Sequence, residues 1–319
     1  MILSEIRKTY DKDIWVIIAA DRRKRPTDFI SKGYKYISPA SECPFCPGNE
    51  KMTPPEVLAF RKKGTLPDTP GWWIRCIENK FPALKLQKNH SGLSYDDFYQ
   101  TMEGFGKHEV IVETPEHDKH PATLPVSQVE EILRAYVERY KSLSQVKNIR
   151  YVCIFRNHKK EAGASLSHPH SQIIAMPILP KIVKEELIFS KRFYNKKGKC
   201  LYDYIISMEL TKNERIIYET KDFIVLSPFA SRYPFETWII PKRHEPSFGN
   251  IREDERRSLA GVLKNILHRY NKILADPPYN FYIHSSPCDS KKYPFYHWHL
   301  EITPRLTTEA GFERGSSFY

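Results

Sequence analysis

Short runs of alternating hydrophobic and polar residues predict a series of β-strands, and longer amphipathic runs predict helices. In the first half, the strand patterns occupy residues 13–20, 72–76, 108–113, 150–157 and 173–176. A helix is predicted at 127–146, opened by a capping box of Ser127 and Glu130. This order predicts an α+β unit in which an antiparallel sheet is covered by a helix.

The second half repeats this order of patterns. Strand patterns lie at 223–226, 237–240, 279–284 and 300–302, with a helical pattern at 253–274 between the second and third of them. Polar residues repeat as well, since His244 and His297 are about as far apart as His117 and His168. We therefore predict an internal duplication, with one unit at 1–190 and a second at 191–319.

Composition and charge narrow the class of protein. The 319 residues are 40% hydrophobic and 13% aromatic, which predicts a large folded core. The net charge of +12 fits a nucleic-acid partner or a site for a phosphorylated small molecule, but the cations are spread along the chain. The first residues lack a signal-peptide pattern and no run is apolar enough for a membrane span, so we expect a cytoplasmic protein without nucleic-acid or membrane partners.

The most distinctive motif is His168-Pro169-His170, followed by Ser171-Gln172 and an apolar strand pattern. An isolated motif of this kind also occurs in surface turns whose imidazoles have no function. Here we expect the two rings to point to opposite sides of extended backbone. His168 would then ligate a metal ion while His170 faces a substrate.

Cysteines and histidines at matching positions predict metal sites. Cys43 and Cys46 form a CxxC pair, which alone also fits a redox pair or two buried thiols. Together with His117 and His168 they make a Cys2His2 set, which suits a closed tetrahedral zinc site of structural type. The second half offers two alternative sets for a second ion, zinc or iron: Cys200, Asp203, His244 and His297, or Glu186, His284, His297 and His299.

Two further segments suit nucleotide binding. Arg22, Arg23, Lys24 and Arg25 follow the first strand pattern, where guanidinium groups would bind phosphoryl oxygens, although a solvated loop has the same composition. Asn79 and Phe81 follow a strand pattern and could hold a base by amide contacts and stacking.

As a set, these motifs resemble the galactose-1-phosphate uridylyltransferase branch of the histidine triad superfamily, whose members are duplicated units with an HPHxQ motif in the first half. The resemblance covers almost the whole chain: Trp15 to Ile17, Arg22 to Pro26, Cys43 to Cys46, Glu78-Asn79, Pro115 to His117, Asn157, His168 to Gln172 and Tyr233 to Thr237. It implies a nucleotidyltransferase that acts on a nucleotide sugar and on hexose 1-phosphate or phosphate. A homodimer is also implied by the family.

The resemblance also implies roles for individual residues. His170 would attack the α-phosphorus to form a nucleotidyl-histidine, and Gln172 would donate its amide to a phosphoryl oxygen. Asn157 and Ser165 match positions that contact phosphoryl groups, while Arg22, Arg25 and Asn79 match nucleotide-side positions.

Some residues depart from the uridylyltransferases. Ser171 differs from their usual residue, and the segments 163–168 and 276–280 are similar to the ADP-glucose phosphorylase branch, which transfers an adenylyl group to phosphate. We expect uridylyl transfer first and adenylyl transfer as the alternative. A non-catalytic nucleotide- or RNA-binding protein is a third hypothesis, from the positive charge and the many aromatic residues.

Overall fold

The computed structural model describes residues 5–18, 39–86, 93–95 and 98–317. Within these ranges the strands are β1 (Glu5–Lys8), β2 (Trp15–Ile18), β3 (Glu56–Arg61), β4 (Trp72–Glu78), β5 (Leu93–Tyr95), β6 (Gln100–Met102), β7 (Lys107–Val112), β8 (Tyr151–His158), β9 (His170–Met176), β10 (Ile216–Glu219), β11 (Phe223–Leu226), β12 (Thr237–Pro241), β13 (Tyr279–His284) and β14 (His299–Pro304). The helices are α1 (Val126–Ser144), α2 (Lys181–Lys197), α3 (Leu201–Lys212), α4 (Glu253–Ile273) and α5 (Gly311–Ser316). The predicted α+β class is confirmed.

Ten strands form one antiparallel sheet in the order β10-β11-β12-β14-β13-β8-β9-β7-β4-β3. Each half contributes five strands, and their spatial order within each half is first, second, third, fifth, fourth. The halves meet where β13 pairs with β8, with Phe281 opposite Arg156. The repeated order confirms the predicted duplication, and the two sheets of the prediction join into one.

Helices α1 and α4 occupy equivalent places in the two halves, each between the third and fourth strands of its five. Their buried residues pack together with one face of the sheet in a single hydrophobic core that includes Leu133, Ile173, Leu263 and Ile302. The predicted helix at 253–274 agrees closely with α4.

The predicted capping box at Ser127 and Glu130 is wrong. Helix α1 begins at Val126 after Pro125, and no side chain caps its first turn. Proline fixes φ near the helical value and lacks an N–H group, so it starts the helix one residue before the predicted cap.

The other face of the sheet carries the polar motifs. Paired residues in adjacent strands share a face, so the register places His170 with Val112, and Gln172 with Val110 and Phe155. The same face continues into the second half, where Tyr282 pairs with Glu301.

In the second half this face is covered by α3 and its neighbours. Leu201, Ile205 and Trp238 belong to a separate buried cluster there. The predicted unit boundary at residue 190 falls inside α2, and the division into 1–190 and 191–319 remains a prediction. Among the described residues, no helix is both long enough and apolar enough to cross a bilayer.

Candidate active site

His170 is the first residue of β9 and is buried. Its Nδ1–H donates to the carbonyl oxygen of His168 at 2.8 Å, so the neutral ring carries its lone pair on Nε2. Burial lowers the pKa of His170, an effect only partly opposed by the hydrogen bond to His168. The ring is therefore neutral near physiological pH, with one nitrogen fixed and the other able to attack an electrophile.

A buried polar network fixes the strand beneath His170. The Oγ of Ser171 contacts both Glu113 and the hydroxyl of Tyr136, and the Nε of Arg156 lies 3.0 Å from each carboxylate oxygen of Glu113. Arg156 also donates to the hydroxyl of Tyr279 at 2.9 Å. The motifs of the sequence do not single out this ion pair, although two charged residues in or beside apolar strand patterns are a signal of buried pairing.

The two imidazoles of the motif do not lie on opposite sides of the backbone, and that prediction is wrong. Residues two apart in a regular strand share a face, and the ring of Phe45 contacts both His168 and His170, at centroid distances of 6.1 and 5.4 Å. The rings have different polar partners because His168 precedes the strand. Its Nε2–H donates to the carbonyl of Thr114 at 2.8 Å, which directs Nδ1 toward Cys46.

Gln172 lies two residues beyond His170 on the same face, and its Oε1 is 2.8 Å from the Nε2 of His108. Asn79 lies at the end of β4, with its Nδ2 3.1 Å from that same nitrogen. The sequence predicts for His108 only a place in a strand. Its position on β7, the neighbour of β9, brings it to the site through sheet pairing that a single sequence does not display.

The other predicted substrate residues are placed as follows. Asn157 lies on β8, where its Oδ1 accepts a hydrogen bond from Asn280 at 2.8 Å. Ser165 is exposed in the loop before the motif, and Phe81 is 83% exposed beyond Asn79. Arg22 and Arg25 lie outside the described residues.

The fold brings the four residues of the first predicted metal site together. Donor atoms of Cys43, Cys46, His117 and His168 all lie within 4.8 Å of one another. The Sγ of Cys46 is 3.1 Å from the Nδ1 of His117 and 3.5 Å from that of His168. Burial raises the pKa of Cys46 to about 12, so its thiolate needs a neighbouring cation. Two soft thiols and two imidazoles fit a zinc ion.

The second predicted set also comes together. Cys200 immediately precedes α3, Asp203 follows in its first turn, and their donor atoms lie within 4.8 Å of those of His244 and His297. The carboxylate of Asp203 is 3.0 Å from the Nδ1 of each histidine. The hydrogen bond to Asp203 raises the pKa of His244 to about 10, so without a metal ion this cluster is held by a charged imidazole.

The alternative second set differs from the prediction in one member. Glu186, His284 and His299 are grouped with Glu301, whereas His297 lies with Asp203. The Nζ of Lys12 is 3.0 Å from Glu186 Oε1 and 3.2 Å from Glu301 Oε1. These two oxygens are also the atoms closest to His284 and His299, so the ammonium group lies against the carboxylate atoms that would bind a metal ion. As it stands, this cluster does not fit a metal.

A further cluster was not predicted. His120, His158 and Asp276 have donor atoms within 4.8 Å of one another, and Lys159 pairs with Asp276 at 2.8 Å. The cluster lies beside the loop that carries Ser165. No motif links its three members, which come from distant parts of the chain.

Comparison with known proteins gives consistent matches. The family model for the galactose-1-phosphate uridyl transferase N-terminal domain matches residues 2–180, and the model for the C-terminal domain matches residues 152–311. The ADP-glucose phosphorylase of Arabidopsis thaliana is 38% identical over 320 residues, covering 99% of this chain and 88% of the relative. The galactose-1-phosphate uridylyltransferase of Thermotoga maritima is 31% identical over 305 residues, covering 95% and 87%.

A solved structure shows the same architecture. The crystal structure of an ADP-glucose phosphorylase from Arabidopsis thaliana with bound ADP-glucose superimposes with a TM-score of 0.82 at 36% identity, covering 99% of this chain and 94% of that one. The resemblance found in the motifs is thus confirmed over the whole length. The chain belongs to the galactose-1-phosphate uridyl transferase family.

Proposed function

We propose that the chain is a nucleotidyltransferase that acts on a nucleotide sugar through a nucleotidyl-histidine at His170. The observation that carries the proposal is the orientation of this ring. Its Nδ1–H is bound to the carbonyl of His168, so Nε2 holds the lone pair of the neutral ring. The pKa lowered by burial keeps that lone pair available at neutral pH.

Two balanced steps follow from this geometry. In the first, Nε2 attacks the α-phosphorus, the bond from that phosphorus to the bridging oxygen breaks, and hexose 1-phosphate leaves with the electron pair. In the second, an oxygen of phosphate or of another sugar phosphate attacks the phosphorus. The P–N bond then breaks and His170 is regenerated.

Gln172 is proposed to stabilise the transferring phosphoryl group. Its amide can donate to a non-bridging oxygen, where charge develops. An amide cannot act as a general acid or base, so no residue at this position would activate a water molecule. This chemistry favours an acceptor that is already an oxyanion.

The first metal set is proposed to be a structural zinc site. The ion would be held by Cys43, Cys46, His117 and His168, and it would supply charge compensation for two buried thiolates. The loop between the cysteines carries Phe45, whose ring lies 5.4 Å from that of His170. A metal ion at this site would therefore fix the loop whose Phe45 ring packs against His170. We propose the Asp203 cluster as a weaker second site.

Substrate contacts are proposed for Asn79 on the nucleotide side and for Asn157 and Ser165 on the phosphoryl side, together with Arg22 and Arg25. Asn157 supports this assignment because it lies on β8, beside the strand that begins at His170. A cytoplasmic homodimer without nucleic-acid or membrane partners also remains a proposal.

The donor base has two candidates, a uridylyl and an adenylyl group, and relatives of both kinds match this chain. Uridylyl transfer to a hexose 1-phosphate is the activity first expected from the motifs. Adenylyl transfer from ADP-glucose to phosphate is favoured by the higher identity to the phosphorylase, 38% against 31%.

The test is incubation with α-labelled UDP-glucose or ADP-glucose, followed by addition of galactose 1-phosphate or phosphate. Wild type should retain acid-labile, base-stable label from one donor, and the matching acceptor should release it. His170→Ala should retain none, and His268→Ala, on α4, serves as the control. The proposal fails if neither donor labels wild type or if His170→Ala labels equally.

A further inference from the structure

His108 lies on β7, beside the strand that carries His170 and Gln172. It is 9% exposed, and its Nε2 is 2.8 Å from the Oε1 of Gln172. The contact is at ordinary hydrogen-bond distance, so either the Nε2–H of His108 donates to the amide oxygen, or the amide is flipped and its NH2 group donates to the ring. Which atom does so decides the way the Gln172 amide faces.

The hydrogen can be assigned from the other side of the ring. The backbone N–H of Ala83 donates to the Nδ1 of His108 at 3.2 Å, so Nδ1 is an acceptor and carries no hydrogen in the neutral ring. Burial lowers the pKa of His108, which favours the neutral form. The single ring hydrogen is therefore on Nε2, and it is donated to the Oε1 of Gln172.

This donation fixes the Gln172 amide. The flipped amide would place its NH2 group against the Nε2–H of His108, with two donors facing each other. Once Oε1 is held, the NH2 group points away from the ring with its hydrogens available. A side-chain amide that is free on both sides would populate both orientations, and only one of them offers a donor.

The same ring affects Asn79. The N–H of Phe81 donates to the Oδ1 of Asn79 at 2.8 Å, which leaves Nδ2 as the atom nearest His108, at 3.1 Å. Because the Nε2 hydrogen is donated to Gln172, His108 does not accept from Asn79, and the 3.1 Å approach of Nδ2 to Nε2 is a close contact of two donors. The N–H of Phe81 holds the Asn79 amide in this orientation, so the orientation of Gln172 depends on the Ala83 contact at Nδ1 rather than on Asn79.

We propose that His108 is a positioning residue that orients the Gln172 amide so that its NH2 group donates to one non-bridging oxygen of the transferring α-phosphoryl group. The inference rests on the proposed nucleotidyl transfer and adds to it the residue that prepares the donor. His108 itself does not contact the reacting atoms.

Removing His108 should lower the rate of nucleotidylation less than removing the Gln172 amide does. Removing a preorganised donor costs about 10²–10³ in rate, and this applies to Gln172→Ala. In His108→Ala the donor remains but its orientation is no longer fixed, so the rate of nucleotidylation should fall by about tenfold with KM changed less than about twofold.

The discriminating readout uses the Rp and Sp diastereomers of the α-thio donor, ADP-α-S-glucose or UDP-α-S-glucose. Wild type should prefer one diastereomer, because a fixed donor distinguishes the two non-bridging positions. His108→Ala should lose most of this preference, as Gln172→Ala should. His108→Phe fills the space of the ring without a donor and should behave like His108→Ala, while His108→Gln, whose amide can donate, should recover part of the preference.

The outcomes separate the two proposals. If wild type forms no nucleotidyl-enzyme, the proposed function fails. If wild type forms it and Gln172→Ala loses the diastereomer preference while His108→Ala and His108→Phe keep it, only the role of His108 is overturned. Equal preferences in His108→Gln and His108→Phe would also overturn it, because the donor would then make no difference.

Discussion

Replacing Lys12 with methionine tests whether this side chain supplies the cation of the cluster around Glu186 and Glu301. Its side chain is 2% exposed, and its Nζ lies 3.1 Å from Asp11, 3.0 Å from Glu186 and 3.2 Å from Glu301. Methionine keeps most of the volume and removes the charge. In the variant, Arg232 would still contact one of these carboxylates, since its Nη2 lies 2.5 Å from Glu301.

The magnitude follows from the burial of these charges. Breaking a buried pair by removing one partner costs about 3–5 kcal/mol, because the other charge is left without compensation. We expect Lys12→Met to lower the free energy of unfolding by about this amount in the presence of a chelator. The matched control is Lys8→Met, since Lys8 pairs with Asp13 at 2.7 Å but both side chains are substantially exposed. That exposed pair should contribute about 0–1 kcal/mol.

The assay is urea denaturation with chelator, with Zn²⁺ and with Fe²⁺, combined with elemental analysis. In Lys12→Met the freed carboxylates and imidazoles should bind a divalent ion, so the variant should gain metal. Its stability should recover by about 3 kcal/mol when the ion is at a hundred times its dissociation constant. The reasoning is refuted if Lys12→Met is as stable as Lys8→Met, or if Lys12→Met gains no metal over wild type.

Three other perturbations have defined outcomes. The double variant Cys43→Ala, Cys46→Ala should lose about one zinc per chain by elemental analysis and several kcal/mol of stability; retention of the zinc would contradict the assignment. Gly106→Ala should cost about 2–4 kcal/mol in urea denaturation, because φ is +154° and the added Cβ would lie 2.3 Å from the carbonyl of Ala175. Gly104→Ala, with its nearest contact at 3.8 Å, should cost under about 1 kcal/mol, and equal losses would count against this explanation. Burial lowers the pKa of His158 to about 4, so between about pH 6.5 and 4 the unfolded chain binds the proton first and the free energy of unfolding falls by about 3 kcal/mol. His158→Phe should show a smaller fall over this range, and an unchanged pH profile would exclude the effect.

The fold and the central motif could be predicted because their signals are local. Alternating strands, the helix at 253–274 and the repeated histidine spacing all appear in one sequence, and together they identify the duplicated antiparallel units. The CxxC pair could be joined to His117 and His168 because zinc requires a full set of ligands. That inference needed only residue types and the repeat.

The parts that were missed depend on contacts between distant strands. His108 reaches Gln172 because β7 pairs with β9, and Lys12 reaches Glu301 from the other end of the chain. The grouping of Glu301 rather than His297 with His299 likewise follows from the sheet, in which Glu301 is two residues beyond His299 on the same face. A single sequence shows that such residues are present, but it does not show which of them lie together.

Peptide mapping by mass spectrometry tests most directly whether His170 is the nucleophile that carries the nucleotidyl group. Wild type would be incubated with ADP-glucose or UDP-glucose without acceptor, quenched in base and digested. The peptide containing His168 to Gln172 should gain one nucleotidyl group, with fragmentation placing it on His170. A nucleotidyl group on another residue, or its absence with both donors, would contradict the proposed role of His170.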